Sequence, residues 1–165
     1  MYNSGSLNPI LSNTLLPFLF ACYTGLRHSD VVKIKYKDIS KDNSIDITLK
    51  KKTSNGYKRL IVPLSQKAIK LINLDSQPDE LIFPKLITAT KCSHHLKAIA
   101  AVCNIDKNIS FYTARHTFAT ISLGIGIELK KVSELLGHDS VKTTEIYAHL
   151  VEEHLKTAVD KWDNF

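Results

Sequence analysis

Two arginines, a histidine and a tyrosine in this sequence have side chains that could act together on a phosphodiester. Arg27 lies in the segment TGLRHSD, Arg115 in TARHTFAT and His138 in LLGH, and Tyr147 follows that histidine by nine residues. Guanidinium groups match the oxygens of a phosphate, and a deprotonated phenol can attack its phosphorus. If folding brings the four side chains together, the chain would cut and rejoin DNA.

The two arginines suit the transition state of phosphoryl transfer, in which charge grows on the non-bridging oxygens. Fixed, permanently charged donors in a sheltered site stabilise that charge. Arg27 follows a glycine turn, so we expect it to project from a loop at a helix start, and Arg115 falls early in a predicted helix, where the helix dipole would help. For either arginine taken alone, a surface salt bridge is the competing interpretation.

The tyrosine needs help to become a nucleophile, because a phenol has a pKa near 10. Nearby arginines would favour the phenolate of Tyr147, and His138 could accept its proton or bind the phosphate. A lone tyrosine on an amphipathic helix is more often a core residue. A histidine after a helix-ending glycine can also be a solvent-exposed partner of the helix dipole.

A lysine on a predicted hairpin adds a candidate general acid. Lys52 precedes Thr53 near the tip and could protonate a departing 5′ oxygen. Lys50 and Lys51 are competing candidates for this role. Contact with the DNA backbone or with solvent is the alternative for all three lysines.

The elements that must position these side chains can be read from apolar periodicity and turn residues. Alternation at 45–49 and an apolar run at 60–62 predict a β-hairpin with an Asn-Gly turn. Helical patterns are predicted at about 12–23, 29–36, 65–73, 91–104, 110–123, 128–136, 140–148 and 150–162. Ser12 or Asn13 would cap the first helix, with Pro17 in or near its first turn, and Ser65 and Ser140 would cap later ones. The predicted fold class is mainly α with a small antiparallel β-sheet (α+β).

Length, charge and cysteine content narrow the class of protein. The 165 residues fit a single domain, and a net charge of +6 with a pI of about 9.2 suits a polyanionic partner such as nucleic acid. The three cysteines show no pairing pattern, and the apolar run at 15–22 is too short to span a bilayer and lacks the basic flank of a secretory signal. We therefore expect a cytoplasmic protein. His94, His95 and His154 form no convincing metal-ligand set.

These segments together resemble the catalytic domain of the tyrosine recombinase, or phage integrase, family, especially the integrases of mobile elements. The resemblance extends from about residue 12 to the end, and the matching segments occur in the family's order: TGLRHSD, Lys52-Thr53, TARHTFAT, LLGH and TTEIY. Each segment alone is weakly specific, but all of them in order are much more so. The resemblance implies the DNA breaking–rejoining catalytic-domain fold and site-specific recombination, with no cofactor and no metal.

The resemblance also implies a role for each site residue. Arg27 and Arg115 would bind the scissile phosphate. Lys52 would act as general acid, His138 would assist the phosphate and the nucleophile, and Tyr147 would form a 3′-phosphotyrosine link.

Two further positions complete the predicted site. Asp30 matches an acidic position that supports the site by orienting a basic group. Tyr112 is a departure, because the family usually has a histidine three residues before the second arginine. A phenol can still donate a hydrogen bond to a phosphate oxygen, but it is a poorer proton shuttle at neutral pH.

The resemblance also predicts partners and organisation. Residues 1–165 would be a single catalytic domain with a lead-in at 1–10 and without the N-terminal domain that clamps the other side of DNA. The partners would be double-stranded DNA and, in a full-length protein, other protomers in a tetrameric synapse. The helix at 150–162 would carry an apolar stripe, in cis or exchanged between protomers: Leu150, Val151, Leu155, Val159 and Trp162.

Two other functions fit part of this pattern. A type IB topoisomerase uses a similar site, but the short length and the LLGH segment favour a recombinase. A non-catalytic DNA-binding module could retain the fold. The complete set of candidate catalytic residues argues against such a loss of activity.

Overall fold

Seven α-helices and one two-stranded sheet make up the part of the chain that the structure, a computed structural model, describes. It describes residues 9–53 and 56–160, except for the side chains of 50–57, 154, 155 and 158. The helices are α1 (Pro9–Thr24), α2 (His28–Val31), α3 (Gln66–Ile69), α4 (Ala89–Val102), α5 (Phe111–Gly124), α6 (Leu129–Leu135) and α7 (Lys142–Asp160). A 3-10 helix covers Tyr36–Asp38, and the strands are β1 (Ser44–Thr53) and β2 (Gly56–Pro63). The mainly α class with a small antiparallel sheet is confirmed.

The β-hairpin forms as predicted, because alternate residues of both strands are apolar and can face one core. Ile45 pairs with Val62 and Ile47 with Leu60, in antiparallel register. Ile45, Leu60 and Val62 are buried. Ser54 and Asn55, which belong to the predicted turn, lie outside the described residues.

The prediction for the first helix was wrong at its start. Helix α1 begins at Pro9, before the predicted caps Ser12 and Asn13, so Pro17 lies in the middle of the helix and is buried. A mid-helix proline lacks one backbone donor and crowds the preceding turn. The apolar run that includes Phe18 and Phe20 is buried in the main core, and this burial outweighs the local cost.

The predicted helix at 29–36 is two short pieces. Helix α2 ends at Val31, and Lys35 is extended, because its backbone pairs with Leu81 and its amide donates to Asp38 Oδ2 at 2.8 Å. Ser65 caps α3 as predicted, by accepting from the Ala68 amide at 3.3 Å. That helix ends at Ile69, not near residue 73.

The two helices predicted at 140–148 and 150–162 are one continuous helix, α7. No glycine or proline separates the two patterns, so nothing in the backbone interrupts the hydrogen bonding. The amide of Lys142 donates to Ser140 Oγ at 3.3 Å, at the predicted cap. The Leu155 side chain and Trp162, from the predicted apolar stripe, lie outside the described residues.

Two apolar clusters hold the elements together. The larger contains buried residues of α1, α4 and the hairpin. The smaller lies among α5, α6 and α7 and consists of Ala119, Val132, Leu136 and Tyr147. Among the described helices, none has the length and apolar character needed to cross a membrane.

Candidate active site

The structure brings five of the predicted site residues to one cleft of about 690 Å³. They come from separate elements: the α1–α2 junction, α5, the junction between α6 and α7, and α7 itself. The five are Arg27, Tyr112, Arg115, His138 and Tyr147.

The sharp end of α1 places Arg27. Gly25 has φ +69°, and a Cβ at this position would lie 2.6 Å from Phe118 Cδ1 and 2.9 Å from Leu136 Cδ2. Only glycine fits both the left-handed conformation and the close approach. Leu26 is then buried, and Arg27 is extended and exposed immediately before α2, as expected of a loop residue at a helix start.

Arg115 is buried between two helix ends, so the surface salt bridge considered for it is wrong. Its side chain is 6% exposed, Nη1 donates to Gly25 O at 2.7 Å and Nη2 donates to Leu136 O at 2.5 Å. These carbonyls lie at the C-terminal ends of α1 and α6, where the helix dipole favours a cation. The C-terminal ends of α1 and α6 therefore stabilise the guanidinium, and Arg115 itself lies early in α5, as expected from sequence.

Burial and one neighbouring cation act on the charge of Arg115. Burial, and then the charge of Arg27, lower the pKa of Arg115 to about 10, while Tyr147, Asp30 and Tyr112 act in the opposite direction. At neutral pH the guanidinium stays charged. Two cations facing one cleft are poised to bind an anion.

His138 follows a left-handed glycine at what we call the 137–138 corner, the junction between α6 and α7. Gly137 has φ +65°, and the His138 amide closes the helix end by donating to Ser133 O at 3.0 Å. The ring Nδ1 lies 2.7 Å from Oγ1 of Thr144, a fully buried residue in the first turn of α7. This contact fixes the ring and leaves Nε2 for other partners.

His138 is neutral in the free chain. Burial, and then the charges of Arg115, Arg27 and Lys58, lower its pKa to about 4, with Asp139 opposing them. A neutral imidazole can accept a proton from one partner or donate one hydrogen bond to another. The exposed histidine considered from sequence is wrong, because the ring is half-buried and lines the cleft.

Tyr147 is both a core residue and a residue of the cleft. It is 3% exposed, and its ring lies 4.9 Å from that of His116, which in turn lies 4.0 Å from that of Tyr112. Burial, and then Tyr112, raise the pKa of Tyr147, while Arg115 lowers it. The phenol is therefore protonated at neutral pH in the chain without DNA.

Tyr112 lines the cleft at an exposed position, whereas Asp30 and Lys52 are not among the described residues that line it. Tyr112 is 68% exposed at the edge of the cleft. Asp30 does not line that cleft but a separate one of about 290 Å³ beside Lys33. The backbone of Lys52 lies in β1 opposite Tyr57, but its side chain is outside the described residues.

Two side chains near the site were not singled out from sequence: Thr144 and Lys58. Thr144 lies within the TTEIY segment, and its spacing of three residues from Tyr147 is the signal that could have placed both on one helix face. Lys58 is one of several hairpin lysines, and no local pattern marks it. Within the described part of the chain, no group of three or more His, Cys, Asp or Glu side chains could hold a metal ion.

The chain is similar to known recombinases over most of its length. The sequence profile of the phage integrase family matches residues 4–154. Tyrosine recombinase XerD of Proteus mirabilis is 33% identical over 157 residues, which cover 86% of this chain and 48% of that protein. Tyrosine recombinase XerD of Lacticaseibacillus casei is 34% identical over 152 residues, which cover 84% and 50%. The chain thus spans about half the length of the curated relatives it matches.

Solved structures share the fold. The XerH site-specific recombinase bound to its palindromic difH substrate has a TM-score of 0.69 at 22% identity, covering 96% of this chain and 48% of that one. The catalytic domain of bacteriophage HP1 integrase has a TM-score of 0.59 at 22% identity, covering 92% and 88%. The predicted recombinase catalytic-domain fold is confirmed.

Proposed function

Because the chain belongs to the phage integrase family, we propose that it is the catalytic domain of a tyrosine-type site-specific recombinase that cleaves and rejoins double-stranded DNA. The observation that carries this proposal is the convergence of two arginines, a histidine and two tyrosines on one cleft. The basic composition, with a net charge of +6, supports a polyanionic substrate.

The two arginines would bind the scissile phosphate. Arg115 uses one donor on each terminal nitrogen for Gly25 O and Leu136 O, and a guanidinium carries five N–H donors. The remaining donors are held in a fixed position by those two bonds, which suits stabilisation of a developing charge. Arg27, which is exposed and lines the same cleft, would contact the second non-bridging oxygen.

Tyr147 would be the nucleophile. Its Oη attacks phosphorus, the bond from phosphorus to the 5′ oxygen breaks, and a 3′-phosphotyrosine forms while the 5′ oxygen leaves as a hydroxyl. The phosphodiester energy is kept in the new ester, so attack by a 5′ hydroxyl reverses the step without a nucleotide cofactor. The positive charge of Arg115 favours the phenolate, in opposition to burial.

His138 and Tyr112 would assist. A neutral His138, oriented through Nδ1 by Thr144, can take the phenol proton or donate to the phosphate through Nε2. Tyr112, exposed at the cleft edge, would donate a hydrogen bond to a phosphate oxygen in place of the family's usual histidine.

Lys52 would supply the proton to the 5′ oxygen, because the hairpin that carries it packs beside the 137–138 corner through Leu49 and Leu60. Asp30 would act at longer range, since its charge raises the pKa of Arg115 against the effect of burial.

Other protomers are the second class of partner that we propose. Ile146 and Leu150 are both exposed and lie about one turn apart on α7, and this pair supports a protein contact along the helix. In a synapse, this helix would pack against a neighbouring copy of the chain.

The test is a covalent trap. A pool of nicked DNA duplexes with randomised sequence would release a short 5′-hydroxyl fragment after cleavage, so the phosphotyrosine adduct accumulates. We expect wild type to give a protease-sensitive adduct and Tyr147→Phe to give none. Tyr23→Phe, on α1 and away from the cleft, is the matched control and should behave like wild type.

Two results would contradict the proposal in different ways. DNA binding without any adduct from wild type would make the chain a binding module. An equal adduct from wild type and Tyr147→Phe would remove Tyr147 as the nucleophile and leave the reaction to another residue.

A further inference from the structure

Lys58 connects the hairpin to the 137–138 corner. Its Nζ donates to the backbone carbonyl of His138 at 2.5 Å and lies 3.8 Å from Asp139 Oδ1. A charge-assisted bond to a carbonyl is stronger than a neutral one and has a preferred direction. The lysine therefore constrains the backbone that carries the imidazole.

The hairpin register explains why this lysine points inward. Side chains alternate along a strand, so Lys58 shares a face with the buried residues Leu60 and Val62, while Arg59 lies on the other face. The Lys58 side chain is 29% exposed, whereas that of Arg59 is 68% exposed and pairs with Asp46. A cation on the buried face of a strand needs a specific partner, and the corner supplies it.

The strand ladder is irregular at the same place. Regular pairing stops after Thr48 opposite Arg59 and resumes with Lys52 opposite Tyr57, so three residues of β1 (49–51) lie opposite Lys58 alone. Irregularities of this kind bend a strand and redirect a side chain, and they are common beside active sites.

The corner also packs on this hairpin through apolar contacts. A Cβ on Gly137 would lie 2.8 Å from Leu49 Cδ1 and 3.5 Å from Leu60 Cδ1. Lys58 also lines a cleft of about 290 Å³ with Arg27 and His138. The hairpin thus supports the corner through Leu49 and Leu60, which pack against Gly137, and through the bond from Lys58 to the His138 carbonyl.

We propose that Lys58 is a positioning residue that fixes the orientation of His138 and ties it to the hairpin carrying Lys52. The effect of Lys58 on strand cleavage rests on the proposed function. The effect of Lys58 on the His138 ring does not rest on it, because the bond to the His138 carbonyl is present without DNA.

Nitrogen-15 NMR of the His138 ring at pH 7 tests the proposal in the free protein. We expect Lys58→Met to change the Nδ1 and Nε2 shifts toward a mixture of tautomers, because a loosened corner weakens the contact with Thr144. Lys58→Arg, which can donate to the same carbonyl, should keep the wild-type shifts. Arg59→Met is the matched control on the opposite face and should also keep them.

The pKa of His138, which depends on the charges around its ring, gives a second measurement in the same samples. Arg115 on α5, Arg27 before α2, Lys58 on β2 and Asp139 in the corner all act on His138. Lys58→Met should move the titration midpoint of His138 upward, from about 4 toward 6.5. In the trapping assay, adduct formation should slow by about 10- to 100-fold, as for a misplaced catalytic group.

Unchanged nitrogen-15 chemical shifts of the His138 ring in Lys58→Met would overturn the positioning role. If the variant also bound DNA more weakly, Lys58 would act only as a DNA contact. Equal shift changes in Arg59→Met would also overturn it. Failure of wild type to cleave any DNA would refute the proposed function but would leave the NMR result to decide the role of Lys58.

Discussion

Gly25→Ala tests the close packing that positions both arginines. The new Cβ would meet Phe118 Cδ1 at 2.6 Å and Leu136 Cδ2 at 2.9 Å, and the residue would keep a φ of +69°. A left-handed conformation costs an L-residue about 1–2 kcal/mol. Overpacking a filled site adds about 1–3 kcal/mol. We therefore expect Gly25→Ala to lower the free energy of unfolding by roughly 2–5 kcal/mol.

Substitutions of two other glycines separate the cost of backbone strain from the cost of overpacking. Gly126 has a φ of +89° with no atom within 4 Å of a new Cβ, so Gly126→Ala should cost only the backbone strain, about 1–2 kcal/mol. Gly124 has neither a positive φ nor a close neighbour, so Gly124→Ala should be neutral or stabilising by up to about 1 kcal/mol. Urea unfolding of the three variants measures the series.

The order of the three variants decides whether the packing argument holds. If Gly25→Ala is no more destabilising than Gly126→Ala, contact with Phe118 and Leu136 does not limit this position. A Phe118→Ala background provides a further check, because it removes Cδ1, the atom nearest to the new Cβ. Gly25→Ala should then cost less than it does in wild type, by roughly 1 kcal/mol.

Substitutions at three further positions test the site itself. Thr144→Val removes the partner of His138 Nδ1 and should lower the free energy of unfolding in urea by about 1–3 kcal/mol. The NMR spectrum of the His138 ring should show that the ring no longer keeps one tautomer. An unchanged ring spectrum would contradict this role of Thr144. Tyr112→Phe should slow covalent adduct formation, and Tyr112→His should not abolish it; an unchanged rate in the first variant removes Tyr112 from the site. Arg115→Lys should lose most cleavage activity and some stability, because one ammonium cannot reproduce the two guanidinium bonds to Gly25 O and Leu136 O. A wild-type melting temperature in this variant would show that these two bonds do not stabilise the fold.

Local sequence patterns predict those elements of the fold that are determined by neighbouring residues in the chain. The hairpin follows from alternation in each strand, and the end of α6 follows from a glycine that can adopt positive φ at residue 137. The split between α2 and the 3-10 helix could not be predicted in this way. It depends on the pairing of Lys35 with Leu81, which lies far along the chain.

In the candidate site too, some features follow from the sequence and others depend on contacts between distant parts of the chain. The types of the cleft residues could be predicted because phosphoryl transfer needs charged donors and a nucleophile, and their order along the chain resembles the family. The partners that orient them could not. Arg115 bonds backbone carbonyls, and any residue supplies a carbonyl, so no side-chain pattern reveals Gly25 O or Leu136 O. Lys58 likewise differs from its neighbouring lysines only by strand register.

Under the proposed function, the charges in the cleft predict that bound DNA itself activates the site. In the free chain, burial and the two arginines hold the pKa of His138 at about 4, which makes the ring a weak base for the protonated phenol of Tyr147. The proposed phosphate contact would place negative charge beside Arg27 and Arg115 and offset their effect, so the pKa of His138 should rise toward 6.5. The ring would then become a better base only when DNA is in place. Cleavage that needs neutral His138 should therefore fall, as pH is lowered, with a midpoint above 4 in the DNA complex. A single-turnover pH profile with the same midpoint as the NMR titration of the free chain would refute this coupling between substrate charge and base strength.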